Sequence, residues 1–465
     1  MSLTTNEGTV WVPHRYQERA VEIMVSQGAA GLLMDPGLGK TSCALQAFKI
    51  LRDLGYVRRA LVIAPLRPML HTWTAEIDKW SNFQHLVYDV LHGKNKEKAA
   101  SSPEGTDLFL INPEGLQWLL GRSIKNFSDK KLRQLGVDML IVDESTKFKH
   151  SNTTRFKLLR KALNVFKRRY ILTGTVSPNG LMDLFGQFYI LDGGNALGAY
   201  ITHFRSKYFS QPNPIHEPYK WEANEGAMQE IAERIDPLCL RLKAEDYLDM
   251  PELQHINLNV KLPDKAMQHY LEMENEFITK LEEDIAYAEN AATVGIKCRQ
   301  IANGAVYTDG ENYEIVHDTK IERLKELTEE LQGEPLLLLY EFRHDLERIK
   351  EAYPDLMYFG MKGIKEEVIV QRWNAGELSI LAGHPASMGH GLNLQGSCHR
   401  VCWFGITWNF EYYDQAIARV YRQGQKSDRV LNYHIVAEDT LDEKVLRVLQ
   451  QKERTQEDLL DMLKS

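Results

Sequence analysis

Residues 29–41 read Ala-Ala-Gly-Leu-Leu-Met-Asp-Pro-Gly-Leu-Gly-Lys-Thr, an apolar run that ends in a glycine-rich turn and opens an apolar-periodic helix at 43–51. Strand, turn and helix N-terminus in that order aim backbone N–H groups and the positive end of a helix dipole at an anion, and Lys40 adds a mobile charge. The expected ligand is a nucleoside triphosphate with Mg2+. Pro36, Gly37, Leu38, Gly39, Lys40 and Thr41 would form the cradle, with the Thr41 hydroxyl on the metal. The first position of the phosphate-loop pattern is Met34 rather than Gly, and a turn of this kind also serves as a plain tight connection.

Outward from this stretch, short apolar runs at 31–34, 60–64, 108–111, 139–142 and 170–172 alternate with helical patterns such as 72–80. Runs of this kind predict parallel strands buried on both faces and joined by crossover helices. Ligands of such a doubly wound sheet bind at the carboxyl ends of the strands. The pattern breaks between about 193 and 251, where Gly, Pro and aromatic residues mix, and this region is expected to be an insertion or linker. Helical spacing follows at 262–290 and 320–331. Strand and helix alternation then resumes with runs at 335–340, 356–359, 378–382, 400–404 and 430–435, ahead of a helix at 441–463. The expected organisation is an N-terminal α/β domain at 1–249 with an insertion near 193–249. A second α/β domain at 250–465 is expected to carry a helical insertion near 262–310 and a C-terminal brace helix.

Composition narrows the function. With 43% hydrophobic and 26% charged residues the chain is of globular type, and its 465 residues exceed what one core usually supports. A net charge of −8 excludes a generally polyanion-binding surface, so nucleic acid would need a localised basic groove. The five cysteines form no C-x-x-C pair and read as buried reduced thiols of a cytosolic protein. The first nine residues lack a signal-peptide pattern, and the longest apolar run, 335–340, is too short to span a bilayer.

Polar clusters directly follow the predicted strands. Asp143-Glu144-Ser145-Thr146 places two carboxylates at a strand end, as phosphoryl transfer to water requires: Asp143 for the metal and Glu144 for the attacking water. In isolation the pair also fits a solvated acidic turn. Thr173-Gly174-Thr175 offers hydroxyls beside a flexible glycine that can sense the γ-phosphate, or alternatively a helix N-cap. Arg419 and Arg422 lie three apart, and on a helix their guanidinium groups would share one face, to neutralise a transferring phosphoryl group or to meet surface acids. Trp73 and Trp80, seven apart, predict one buried helix face, and 200–209, where aromatics interleave with His203, Arg205 and Lys207, predicts a helix packing its aromatic side on the core, with nucleic-acid contact as the alternative.

Taken in order, these segments resemble superfamily 2 helicase-like ATPases, specifically the SWI/SNF-like branch of chromatin-remodelling and DNA-repair translocases. The resemblance runs from about Tyr16 to Val445. Tyr16-Gln17 is similar to that branch's adenine-reading segment, which implies that Gln17 selects ATP. Residues 35–41 resemble motif I, Ile63-Ala64-Pro65-Leu66 with Trp73 and Trp80 motif Ia and its following helix, Asn112-Pro113-Glu114 motif Ib, and Asp143 to Lys149 motif II with Ser-Thr in place of the commoner Ala-His. Residues 172–175 with Asn179 resemble motif III, 389–394 motif V, Trp408-Asn409 a tryptophan-asparagine signature, and 415–425 motif VI. The resemblance implies two tandem RecA-like domains with helical insertions, and catalysis by Lys40, Asp143, Glu144, Arg419 and Arg422. It implies ATP and Mg2+ as cofactors, and coupling through Thr173, Gly174, Thr175 and Gly391. It also implies a monomeric motor moving along double-stranded DNA, with Arg67, Asn112, Lys147, Lys149, Arg343, Ser387 and Asn393 as candidate nucleic-acid contacts. The chain is expected to be a bare motor similar to phage or bacterial members, working in the cytoplasm of a bacterial or phage-infected cell. The alternatives are a strand-separating DNA or RNA helicase of the same superfamily and a nucleotide-regulated clamp.

Overall fold

The structure is a computed structural model that describes residues 9–463 apart from 102, 214–220, 284–287 and 389–391; side chains are described except at 95 and 276–294. The chain forms two compact units, Met1–Leu248 with Arg454–Ser465, and Asp249–Glu453.

The first unit is built on seven strands: β1 (Ala29–Met34), β2 (Ala60–Ile63), β3 (Tyr88–Val90), β4 (Leu108–Ile111), β5 (Met139–Asp143), β6 (Arg168–Thr173) and β7 (Cys239–Leu242). Their order in the sheet is β3-β4-β2-β5-β6-β1-β7, and every pairing is parallel. Runs such as Leu-Phe-Leu-Ile at 108–111 are buried throughout, as strands covered on both faces must be. Register decides where the site lies. Asp143 pairs with Leu172, Thr173 with Leu33, and Met34 with Leu242, so the carboxyl ends of β5, β6, β1 and β7 are consecutive along one sheet edge.

Strand β7 corrects the expectation that 193–249 is wholly an insertion. Cys-Leu-Arg-Leu carries no strand-like pattern because Arg241 interrupts it, yet all four residues are buried and pair with β1. The rest of that region does add helices, Ile201–Tyr208 and Ala227–Ile235 among them. Phe204 and Tyr208 are buried in the core, the aromatic packing that the spacing predicts.

The second unit has a six-stranded sheet of β8 (Glu252–Val260), β9 (Leu336–Leu339), β10 (Met357–Tyr358), β11 (Ile380–Gly383), β12 (Arg400–Trp403) and β13 (Arg429–Ala437), ordered β8-β13-β12-β9-β11-β10. All of its pairings are parallel. Strand β8, unassigned from the sequence, pairs with β13 along its whole length. It is an edge strand whose alternating polar residues stay exposed, so it lacks the apolar run that marks its neighbours. Helices Asp264–Glu283 and Ala288–Asn303 supply the helical insertion, followed by a hairpin of Ala305–Tyr307 and Tyr313–Ile315.

Helix Leu441–Met462 divides between the units. Val445, Leu446 and Leu449 join the core of the second, whereas Leu459 and Leu460, with Leu463 just past the helix end, join the core of the first. The final residues, expected in the second domain, therefore group with the first. The five cysteines are free and buried. Among the described residues no helix is long and apolar enough to cross a membrane.

Candidate nucleotide-binding site

The phosphate loop leaves β1 and enters helix Lys40–Asp53 through two left-handed glycines, Gly37 at φ +92° and Gly39 at φ +80°. Side chains rarely adopt that conformation, so glycine at both positions is a backbone requirement. The loop is tied down on three sides. Asp35 accepts the Ala244 N–H at 2.9 Å and lies 3.8 Å from Arg241, which fastens the loop to the end of β7. Gln17 is buried, donates to the Leu38 carbonyl at 3.0 Å and accepts the His14 N–H at 3.0 Å. Gly174 abuts the loop from the end of β6: a β-carbon there would meet Pro36 at 3.2 Å. Gln17 thus holds the loop with one amide N–H and keeps the second. Tyr16 packs between His14 and Tyr247 beside it.

Lys40 folds back onto the loop, donating to the carbonyls of Met34 (2.6 Å) and Asp35 (3.2 Å). Burial lowers its pKa, opposed by the charges of Glu144, Asp143 and Asp35. The ammonium and both predicted catalytic carboxylates therefore share one low-dielectric neighbourhood at the sheet edge.

Asp143 is gripped through both oxygens. Oδ1 accepts the Glu144 N–H at 3.1 Å, and Oδ2 accepts the indole N–H of Trp73 at 2.8 Å. Trp80 does not share a buried face with Trp73: it is half-buried and donates to Glu76 at 2.7 Å, the same oxygen that takes the Ser42 hydroxyl at 2.5 Å. The spacing of seven misleads because residues 68–73 form a wider π-helical turn before the α-helix Thr74–Lys79, which shifts the faces. The spacing places Trp73 on a buried helix face and the resemblance places it in the helix after motif Ia, but neither carries a sign of its acceptor.

Glu144 is buried and held at φ +55°, ψ +62°, a conformation that costs a non-glycine residue about 1–3 kcal/mol and is concentrated at functional sites. The Thr146 hydroxyl donates to its Oε1 at 3.2 Å. Ser145, where Ala is commoner in the resembled motif, donates to Gln187 Oε1 at 2.6 Å, and the Gln187 amide donates to the carbonyls of Val176 (2.7 Å) and Asp183 (2.9 Å). A continuous hydrogen-bonded link therefore joins the acidic turn to the segment after β6. In that segment Thr173 Oγ1 bonds both to the Thr175 carbonyl and to its N–H, and no helix begins there, so the N-cap alternative does not apply.

The donor set fits Mg2+. No cluster of three His, Cys, Asp or Glu that could hold a metal occurs among the described residues. Mg2+ is commonly held by one or two carboxylates and substrate phosphates while it keeps several waters. Asp143 and the Thr41 hydroxyl are hard oxygen donors of that kind, and a carboxylate with its oxygens hydrogen-bonded still has lone pairs for a metal.

In the second unit the two arginines do not share a helix face. Helix Phe410–Ile417, N-capped by the Asn409 side chain, ends before them, and turns follow up to Gly424. Buried Arg419 donates to the carbonyls of Gln415 (2.8 Å) and Leu392 (3.3 Å), and its own carbonyl accepts the Leu394 N–H. Arg422 donates to the Asn393 side chain, and burial lowers its pKa. Both guanidiniums converge on the segment 392–394 rather than on a common helical stripe. Gly391 lies outside the described residues.

The nucleic-acid candidates divide by exposure. Arg343 is exposed and pairs with Glu347. Arg67 and Lys147 are half-buried, and Ser387 donates to the His384 carbonyl. Asn112 is buried and donates to Glu114. Lys149, 11% exposed, lies 4.0 Å from Asp183, whose own pKa is raised by burial against that lysine's pull.

Comparison with known proteins gives a match to a model of the SNF2-related domain over residues 16–305. Putative protein p41 of Acyrthosiphon pisum secondary endosymbiont phage 1 is 34% identical over 98% of this chain and 99% of its own length. An uncharacterized ATP-dependent helicase of Mycoplasma genitalium is 26% identical over 96% of this chain, which spans 41% of that protein. The Sulfolobus solfataricus SWI2/SNF2 ATPase core in complex with dsDNA matches loosely, at 23% identity and TM-score 0.44, over 99% of this chain and 95% of that one.

Proposed function

The chain belongs to the SNF2-related family and is an ATP hydrolase of that kind, and we propose that it couples hydrolysis to movement along double-stranded DNA. The observation that carries the reading is the neighbourhood of Lys40, in which an ammonium on a phosphate loop feels the charges of two carboxylates at the carboxyl end of β5, one strand removed from β1 in the same sheet. Lys40 exchanges the Met34 and Asp35 carbonyls for phosphate oxygens when a triphosphate enters. Thr41 and Asp143 are the residues that would hold Mg2+, which when bound neutralises phosphate charge. Glu144 orients the attacking water and accepts its proton, its carboxylate aimed by the left-handed backbone and by Thr146. Gln17 reads adenine with its remaining amide hydrogen. Arg422 neutralises charge on the transferring phosphoryl group, and Arg419 holds the segment that positions Asn393. Arg67, Lys147 and Arg343 contact DNA phosphates, a local grip compatible with the chain's net negative charge.

The test compares ATP turnover with duplex DNA, single strands and RNA, and follows displacement of a triplex strand from duplex DNA. Duplex DNA is expected to stimulate most, with ATP-dependent displacement. Greatest stimulation by single strands or RNA would favour a strand-separating helicase, and turnover without displacement a clamp. Lys40→Ala should abolish turnover, and Glu144→Gln should slow it by roughly 10²–10⁴-fold while nucleotide still binds. DNA-dependent turnover near the wild-type rate in either variant would remove the roles assigned.

A further inference from the structure

A buried indole N–H needs an acceptor, and a carboxylate is a stronger one than a backbone carbonyl. The Trp73 side chain, 0% exposed, donates to Oδ2 of Asp143 at 2.8 Å. Trp73 closes the π-helical turn Pro68–Trp73, a rare geometry that is frequent at functional sites. The turn that follows is anchored in its own right: Glu76 accepts the hydroxyl of Ser42, which lies two residues after Lys40 on the helix that carries Lys40 and Thr41. One short segment is thus bonded both to the phosphate-loop helix and to Asp143. While Oδ1 accepts the Glu144 N–H, the indole holds the plane of the carboxylate through the other oxygen.

We propose that Trp73 is a positioning residue for the Mg2+ site: its N–H locks Asp143 in the orientation in which the carboxylate meets the metal. This rests on the reading of Asp143 as metal ligand. The consequence is a metal affinity that depends on one hydrogen atom outside the ligand set, in the way that outer-shell donors of metal sites commonly contribute 10–100-fold.

Trp73→Phe removes the N–H and keeps an aromatic ring; benzothienylalanine at position 73 replaces the N–H by sulfur with the bicyclic shape intact. Mn2+ is titrated into the ADP complex of each full-length protein and followed by electron paramagnetic resonance. ADP affinity is measured separately with metal chelated, and Asp143→Asn is run alongside. The expected result is Mn2+ affinity weakened roughly 10–100-fold in both position-73 variants, with metal-free ADP affinity unchanged. If Trp73→Phe loses metal-free ADP binding through misfolding, the sulfur isostere decides. Wild-type Mn2+ affinity at position 73 with weakened affinity in Asp143→Asn overturns this proposal alone. Unchanged affinity in Asp143→Asn overturns the ligand assignment and the proposal with it.

Discussion

A β-carbon on Gly39 would lie 2.5 Å from Nε2 of Gln17, so the residue that heads the phosphate-loop helix and the amide that steadies the loop compete for one volume. Gly39→Ala therefore meets two costs. The left-handed backbone costs an alanine about 1–2 kcal/mol, and Gln17 must leave the Leu38 carbonyl to make room. ATP affinity is expected to fall roughly tenfold or more, and the preference for ATP over GTP to narrow, both read by nucleotide titration. Wild-type affinity and selectivity in this variant would detach Gln17 from nucleotide recognition.

Ser145→Ala cuts the link from the acidic turn to the segment after β6. It leaves Gln187 Oε1 without its 2.6 Å donor in a fully buried place, a loss of roughly 1–3 kcal/mol. The melting temperature should drop by several degrees, and duplex-DNA stimulation of turnover should fall more than basal turnover. Equal losses in both rates would reduce the link to packing.

Arg419 and Arg422 should separate experimentally. Arg419→Ala strips two backbone carbonyls of their donor and is expected to lower thermal stability. Arg422→Ala should leave the melting temperature and ATP affinity near wild type and reduce kcat by at least ~10³-fold, as loss of a charge-neutralising arginine does. A matching fall in ATP affinity would argue for a binding role instead.

His317 predicts acid sensitivity. Its Nε2 donates to the Ile301 carbonyl at 2.8 Å and its Nδ1 accepts the Thr319 N–H at 3.3 Å, a neutral tautomer with both nitrogens in use. Burial pushes its pKa down to about 4. Buried His434 is lowered likewise, to about 3. Between the unfolded value near ~6.5 and the folded value, the unfolded chain binds a proton that the folded one refuses. The stabilisation from His317 is complete above that upper value and declines by up to about 3 kcal/mol as pH falls toward the folded pKa. Urea midpoints measured from pH 7.5 to 5 should fall more steeply for wild type than for His317→Gln, with His434 sustaining a residual slope in the variant. Parallel slopes would show that His317 does not titrate in that way.

The sequence by itself determined the chemistry that local composition encodes. Apolar runs of three to six residues marked most of the strands, though not β3, β7 or β8, because a strand covered on both faces has no polar side to show. The turn at 35–41 marked the phosphate cradle, because only glycine tolerates its backbone. The carboxylates at 143 and 144 were legible because they directly follow a strand. Tertiary structure alone decided what depends on partners distant in the chain. Arg241 hid β7 until its burial near Asp35 was seen, and polar alternation hid β8 because an edge strand is buried on fewer sides. Arg419 and Arg422 looked like a helical pair until the helix was found to end at Ile417, their donors drawn instead to the segment 392–394. Trp73 reads from its spacing as one more core aromatic, and from the resemblance only as part of the helix after motif Ia. Its indole N–H finds the Asp143 carboxylate seventy positions away, and a hydrogen bond between residues so far apart is written in the folding of the chain and in no local pattern.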